Sequence, residues 1–254
     1  MKIQYASDLH LEFGANSIYL RNHPLTPVGD ILVMAGDIGY LNDELFFKHP
    51  FWDWVSDNFE QVIVIPGNHE LYKNFDINDL YEGWNIKIRD NVRYVYNSVI
   101  SLNYDTELIA STLWSEILGE DAFHIERFVS DFHRIRNGEY RLSWERFNEE
   151  YHHCREFIEK SVENSNANNL IVATHHVPSF KLMSDEFTDS PINGAFTTEL
   201  GNIIANSCIK YWIYGHSHRN INKVIGNTHC VSNQLGYVSM GEHHTFLSAA
   251  MIEV

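Results

Sequence analysis

Lys2-Ile3-Gln4-Tyr5-Ala6-Ser7-Asp8-Leu9-His10 is the stretch on which the reading of this chain turns. A short, largely apolar run stops at small residues and delivers a carboxylate and an imidazole two positions apart. A run this short, without strict alternation, reads as a strand buried on both faces, the pattern of an α/β sheet. Four more runs end in the same way. Ile31–Ala35 leads into Gly36-Asp37, and Val62–Ile65 into Pro66-Gly67-Asn68-His69-Glu70. Leu170–Thr174 leads into His175-His176, and Tyr211–Tyr214 into Gly215-His216-Ser217-His218. In α/β sheets the carboxyl ends of strands form the crevice in which ligands bind, so the five clusters are expected to converge. Carboxylate, imidazole and amide oxygen together suit divalent first-row metals better than calcium or a thiolate site.

The spacing within each block agrees with that chemistry. Side chains two apart on extended backbone leave on the same side, which pairs Asp8 with His10 and His216 with His218. Gly36, Gly67 and Gly215 let the backbone turn close to an ion. Taken alone, the blocks differ in weight: Gly-Asp is a common turn and an Asp at a strand end is often a helix cap, whereas two same-side imidazoles after Gly215 have few structural uses. Five of them, each at a strand end, leave little room for a purely structural explanation.

Outward from these blocks, Val92–Val95, Ser98–Leu102, Glu107–Ser111, Lys223–Ile225 and Phe246–Val254 read as additional strands, and Asp43–Asn58 and Asp76–Ile88 carry helical spacing. So many strands predict an α/β fold of two packed mixed sheets with helices outside, an α/β/β/α sandwich. Trp114–Asn169 carries aromatics at helical spacing with no strand-like run, and reads as a helical insertion at about 114–169 within a single domain spanning 1–254. Its aromatics are expected to pack, while Trp114 and Tyr237 are the candidates for lining the pocket. His152-His153, as helix neighbours, share no face. His243-His244 is expected in a turn before the last strand, and His124 and His133, although the insertion could bring them to the cleft, are expected at the surface.

Composition narrows the partners. The 254 residues carry 18 basic against 34 acidic side chains, a formal charge of -16, with no basic run. Gripping extended nucleic acid requires Lys and Arg to neutralise phosphates, so that partner is disfavoured, whereas a small phosphorylated substrate is compatible because bound cations reverse the local sign. The three cysteines form no CxxC pair, and neither a disulfide framework nor a zinc knuckle is expected. No apolar stretch is long enough to span a bilayer and the start lacks a signal-peptide layout, so a cytoplasmic protein without membrane contact is expected.

The ordered series D-x-H, G-D, G-N-H-E, H and G-H-x-H resembles the calcineurin-like metallophosphoesterase superfamily. It stands here as Asp8-Leu9-His10, Gly36-Asp37, Gly67-Asn68-His69-Glu70, His175 and Gly215-His216-Ser217-His218. Ser111-Thr112-Leu113-Trp114, Ser232-Asn233 and Gly236-Tyr237 extend the similarity to bacterial phosphohydrolase members. The resemblance implies two divalent ions (Mn, Fe, Zn or Ni), one on Asp8, His10, Asp37 and His218, the other on Asp37, Asn68, His175 and His216. Asp37 would bridge them, and His175 is preferred over His176 as the first His of a His-His-x-Pro block. It further implies hydrolysis of a phosphomonoester or phosphodiester by in-line attack of a metal-activated water. His69 would be the catalytic residue, facing substrate rather than metal, and Glu70 would support the ligands or cap the following helix.

Two positions depart from relatives. Where protein phosphatases of this superfamily carry an Asp that orients the catalytic His, this chain has Tyr40, so His69 needs another partner. Leu235 stands where bacterial relatives often carry Arg. Two other readings are a non-catalytic metal-binding scaffold and a nuclease. A lost ligand or a replaced His69 would signal the first, and a basic stripe the second; the chain has none of these.

Overall fold

A computed structural model describes residues 1–254. In chain order the strands are β1 (Lys2–Ala6), β2 (Ile31–Ala35), β3 (Gln61–Ile65), β4 (Asn85–Arg89), β5 (Val92–Val95), β6 (Ser98–Asn103), β7 (Thr106–Ser111), β8 (Arg136–Asn137), β9 (Tyr140–Arg141), β10 (Asn169–Thr174), β11 (Ile209–Tyr214), β12 (Lys223–Ile225), β13 (Thr228–Ser232) and β14 (Met251–Glu253). The helices are α1 (Gly14–Asn22), α2 (Pro50–Asn58), α3 (Ala122–Phe128), α4 (Asp131–Arg134), α5 (Trp144–Asn164) and α6 (Gly201–Ala205).

Two six-stranded mixed sheets form, ordered β14-β1-β2-β3-β5-β4 and β12-β13-β11-β10-β7-β6. The inner strands are parallel and each edge strand (β14, β4, β12, β6) is antiparallel. Period-two alternation explains why the inner runs are apolar throughout. In β2, Ile31, Val33 and Ala35 join Leu108, Ala110, Ile171, Ala173 and Ile213 of the other sheet in the core between sheets. Leu32 and Met34 face the opposite way, into the larger core under the helices. The expected sandwich of two sheets flanked by helices is the observed architecture.

Three local expectations need correction. Asp76–Ile88 is not a helix: a single 3₁₀ turn, Ile77–Asp79, gives way to β4, which pairs antiparallel with β5. Gly83, at φ +81, supplies the turn that a continuous helix would not allow. The segment 114–169 is mostly helical through α3, α4 and α5, but it also contains the small β8–β9 hairpin, whose strands were too short to read. The last strand is confined to β14, because Phe246 follows a 3₁₀ turn and only Met251–Glu253 pairs with β1.

Candidate metal centre and catalytic site

The loops after β1, β2, β3, β10 and β11 meet at the carboxyl ends of the parallel strands. They are laced together before any ligand is considered. Asp8 N–H donates to Gly36 O (2.9 Å), His10 N–H to Asp37 O (2.9 Å) and Gly215 N–H to His175 O (3.0 Å). The Asp8 carboxylate accepts from His216 N–H at 3.1 Å, and Asp37 Oδ1 accepts from His69 N–H at 2.9 Å.

The backbone here departs from the extended geometry expected of the x-spaced pairs. Asp8, His10, Asp37, His216 and His218 all lie in the left-handed region, with φ of 54°, 47°, 56°, 75° and 52°. Each such residue costs on the order of 1–3 kcal/mol and persists only where its surroundings hold it. Convergence therefore comes from five left-handed turns rather than from strand alternation. Close approach explains two glycines: a Cβ at Gly67 would lie 2.3 Å from Asp37 Oδ1, and one at Gly215 would lie 2.7 Å from Asp8 Oδ2.

Two groups of donor atoms result, Asp8–His10–His218 and Asp37–His175–His216, with His10–Asp37–His69 spanning between them. In the first, the Nε2 atoms of His10 and His218 face each other at 3.1 Å, and Asp8 Oδ1 lies 3.4 Å from His218 Nε2. In the second, His175 Nε2 lies 3.1 Å from Asn68 Oδ1 and 3.3 Å from Asp37 Oδ1. Ligands about 2.1 Å from a common ion sit about 3.0–3.4 Å from one another, so the donor set fits small divalent cations.

Outward hydrogen bonds select the nitrogen each imidazole presents. His10 Nδ1 donates to Glu12 (3.0 Å), His218 Nδ1 to Glu242 (2.7 Å) and His175 Nδ1 to the Ala35 carbonyl (2.8 Å), leaving each Nε2 for the site. His216 is turned round: its Nε2 lies 3.3 Å from Ala195 O, leaving Nδ1. His176 is buried but contacts Trp114, Phe147 and the neighbouring histidine rings, and neither of its nitrogens is hydrogen-bonded. His175, not His176, is the ring whose nitrogen lies against Asn68 and Asp37.

The carboxylates place positive charge in each group. Burial lowers the basicity of His218, but Asp8 and Glu242 outweigh it and push it up to about 10. Burial likewise opposes, and Asp37 overcomes, at His175, which rises to about 9. His10 and His216 go down, by burial and by neighbouring imidazoles.

His69 is 7% exposed, and its ring packs 4.3 Å (centroid to centroid) from Tyr72. Its Nδ1 donates to Glu12 at 2.9 Å, through the same Oε1 that serves His10, and its Nε2 lies 3.3 Å from the Tyr237 hydroxyl. Burial lowers its basicity, yet Asp37 and Glu12 raise it above the ordinary value. Sequence reasoning missed Glu12, although the acid stands two residues beyond His10 in the block that opened the reading. Tyr40 only stacks on His69, with centroids 6.2 Å apart. Glu70 caps no helix: it accepts from the N–H groups of Asp37 (2.9 Å), Ile38 (2.7 Å) and Gly67 (2.7 Å) and from the Tyr94 hydroxyl (2.9 Å), binding two ligand loops into one body. Burial and the nearby Asp37 push its carboxyl up to about 7.

A cleft of about 270 Å³ opens over both groups, lined by His69, Tyr237 and Arg219 among polar residues and by Phe128, Phe187 and Phe196 among apolar ones. Tyr237 is where the sequence placed it. Trp114 is not: fully buried, it packs on Phe147 and serves the core. Arg219, unmarked in the sequence, is the cation of this cleft, paired with Glu186 and stacked 5.3 Å from the Phe187 ring. Leu235 is buried.

The model of the family described as calcineurin-like phosphoesterase matches residues 1–220. The chain belongs to that family. An uncharacterized protein of Acanthamoeba polyphaga mimivirus is 29% identical over 283 residues, covering 99% of this chain and 96% of the viral one. Among solved structures, phosphopantetheinyl hydrolase from Mycobacterium tuberculosis superposes with a TM-score of 0.71 at 15% identity, covering 99% of this chain and 95% of that one. A Thermus thermophilus protein superposes with a TM-score of 0.52 at 11% identity, covering 94% and 91%. At such identities the likeness is one of fold. The phosphoesterase family is metal-dependent, and this member has His/Asp groups able to hold metal ions. No helix is long and apolar enough to cross a membrane.

Proposed function

We propose that this chain is a dinuclear-metal phosphoesterase that hydrolyses a small phosphomonoester or phosphodiester by in-line attack of water. The observation that carries the reading is the position of Asp37. Its Oδ1 lies 3.3 Å from His175 Nε2 and its Oδ2 3.8 Å from His10 Nε2, so one carboxylate addresses both donor groups. Asp8, His10, Asp37 and His218 would hold one ion, and Asp37, Asn68, His175 and His216 the other. When bound, such ions supply Lewis acidity toward a phosphate and lower the pKa of water.

The remaining roles fall to the chain itself. Glu12 accepts from His69 Nδ1 and, with Asp37, favours the imidazolium, whose Nε2–H faces the cleft and can donate to a phosphoryl oxygen or give its proton to the departing oxygen. Tyr237 steadies the same nitrogen. Arg219 offers one cation toward the substrate, and Phe196 stacks on the His216 ring with centroids 4.6 Å apart, walling that side of the cleft with an apolar face. The cleft volume and the single lining arginine support a small substrate with one phosphate rather than extended nucleic acid.

The test is turnover of p-nitrophenyl phosphate and bis-p-nitrophenyl phosphate after chelation and after adding back Mn, Fe, Zn or Ni. Metal-restored hydrolysis is expected, and the faster substrate indicates monoester or diester preference. No turnover of either with two ions bound would point to a narrow substrate or to the scaffold, and no turnover of any small phosphoester would reject the reading.

A further inference from the structure

Asn68 poses a problem that no other ligand does. The two ends of its amide are nearly the same size, yet only the oxygen can bind a cation; the NH₂ end would repel it. What faces the far end decides which one enters the site. Here it is Asp131, contributed by α4 of the insertion and 1% exposed. Asp131 Oδ1 accepts from Asn68 Nδ2 at 2.8 Å and from the Tyr72 hydroxyl at 2.6 Å. Asn68 Oδ1 is thereby turned toward His175 Nε2, 3.1 Å away. Flipping the amide would set its oxygen against the oxygen of Asp131 and its NH₂ among the ligands. Asp131 Oδ2 has no hydrogen-bond partner, so the carboxyl group is held only by the two donors to Oδ1, Asn68 and Tyr72.

We propose that Asp131 is the positioning residue for the Asn68 amide and that the insertion therefore completes the second metal subsite; this rests on the dinuclear reading above. The insertion is part of the site, not an appendage: Phe128, Val129, Ser130 and Asp131 in succession line the cleft. Asp131 belongs to none of the donor groups and acts through the orientation of Asn68.

The experiment is equilibrium dialysis against Mn²⁺ with metal counted by atomic emission, on the full chain and on Asp131→Ala, Asp131→Asn, Asp131→Leu and Asn68→Ala, with thermal melts as a fold control. The wild-type chain should bind two ions. Asp131→Ala should keep one at wild-type affinity and hold the other about 10–100-fold more weakly, the usual effect of removing a support behind a ligand. Asp131→Asn, which keeps an acceptor oxygen for Asn68 and Tyr72, should restore the second ion. Asp131→Leu, which fills a similar volume without an acceptor, should behave as Asp131→Ala; restoration by Leu would mean a merely space-filling role and overturn the proposal. Asn68→Ala should reproduce Asp131→Ala. Unchanged affinities in a normally melting Asp131→Ala, or equal weakening of both sites, would overturn the proposal. A wild-type chain binding a single ion would reject the dinuclear reading instead, and Asn68→Ala would then show whether that ion uses the amide; if it does not, this proposal falls too. Should Asp131→Ala not fold, the Zn²⁺-loaded wild-type chain still decides by NMR: the Asn68 side-chain NH₂ should exchange slowly with solvent, and fast exchange would overturn the assignment.

Discussion

The two donor groups look alike as residue sets and differ in what stands behind them. In the Asp8–His10–His218 group both imidazoles donate to carboxylates, Glu12 and Glu242. In the Asp37–His175–His216 group the partners are the backbone carbonyls of Ala35 and Ala195, and Asn68 contributes a neutral oxygen. A carboxylate behind an imidazole makes the ring a more basic ligand and adds attraction of its own for a cation; a carbonyl mainly fixes its direction. The lesson is that the first group is built on charge and the second on orientation. The first should hold its ion by electrostatics, and the second should fail when a hydrogen bond is misdirected.

The largest effect should come from the residue that erases the distinction. Asp37→Ala removes an oxygen from both groups, so metal content should fall from two ions toward none and turnover to that of the chelated protein; a full complement of metal would show that Asp37 is not shared. His69→Ala should come next, lowering kcat by about 10²–10⁴-fold with both ions retained, since His69 belongs to neither group. Loss of metal in that variant would contradict the separation. Glu12→Ala should cost about 10–100-fold in turnover and also weaken the first ion, because one oxygen serves both His10 and His69. The His69→Ala/Glu12→Ala double variant should then lose less turnover than the two single effects multiplied, a coupling that independent sites do not show.

How far these groups could be read from the sequence follows from the same physics. The candidate donor residues are legible because each follows a buried strand, and a run such as Ile31–Ala35 cannot be confused with solvent-facing chain. Their supports are not. Glu12 lies in a turn just before α1, Glu242 in a 3₁₀ turn, and Asp131 in the insertion, 63 positions from the amide it orients. None sits at a periodic position, and an isolated acid in a loop looks like any solvated charge. β4 was misread for a related reason: its burial is partial at an edge, so Ile86 and Ile88 carry no more strand signal than helix signal. The left-handed turns at Asp8 and His10 were likewise invisible, because residue type does not announce them as it does for glycine.

The smallest expected effect is the sharpest test of the contrast. Glu242→Gln keeps an oxygen in place to accept from His218 Nδ1 and from Tyr237 N–H, which the carboxylate now serves at 2.7 Å each. Only the charge is lost, together with a 3.7 Å ion pair to Arg219. Glu242 is partly open to solvent, with 19% of its side chain exposed, so water screens part of the loss. The first ion should weaken by less than about tenfold, below the usual range for deleting such a support, and the second should not change. The isosteric change behind the other group, Asp131→Asn, should leave its ion near wild-type affinity. A charge-based group responds to loss of charge, whereas an orientation-based group does not if the acceptor remains. Dialysis of both variants measures that difference directly. If Glu242→Gln is silent and Asp131→Asn is costly, the roles of charge and direction in the two groups are reversed.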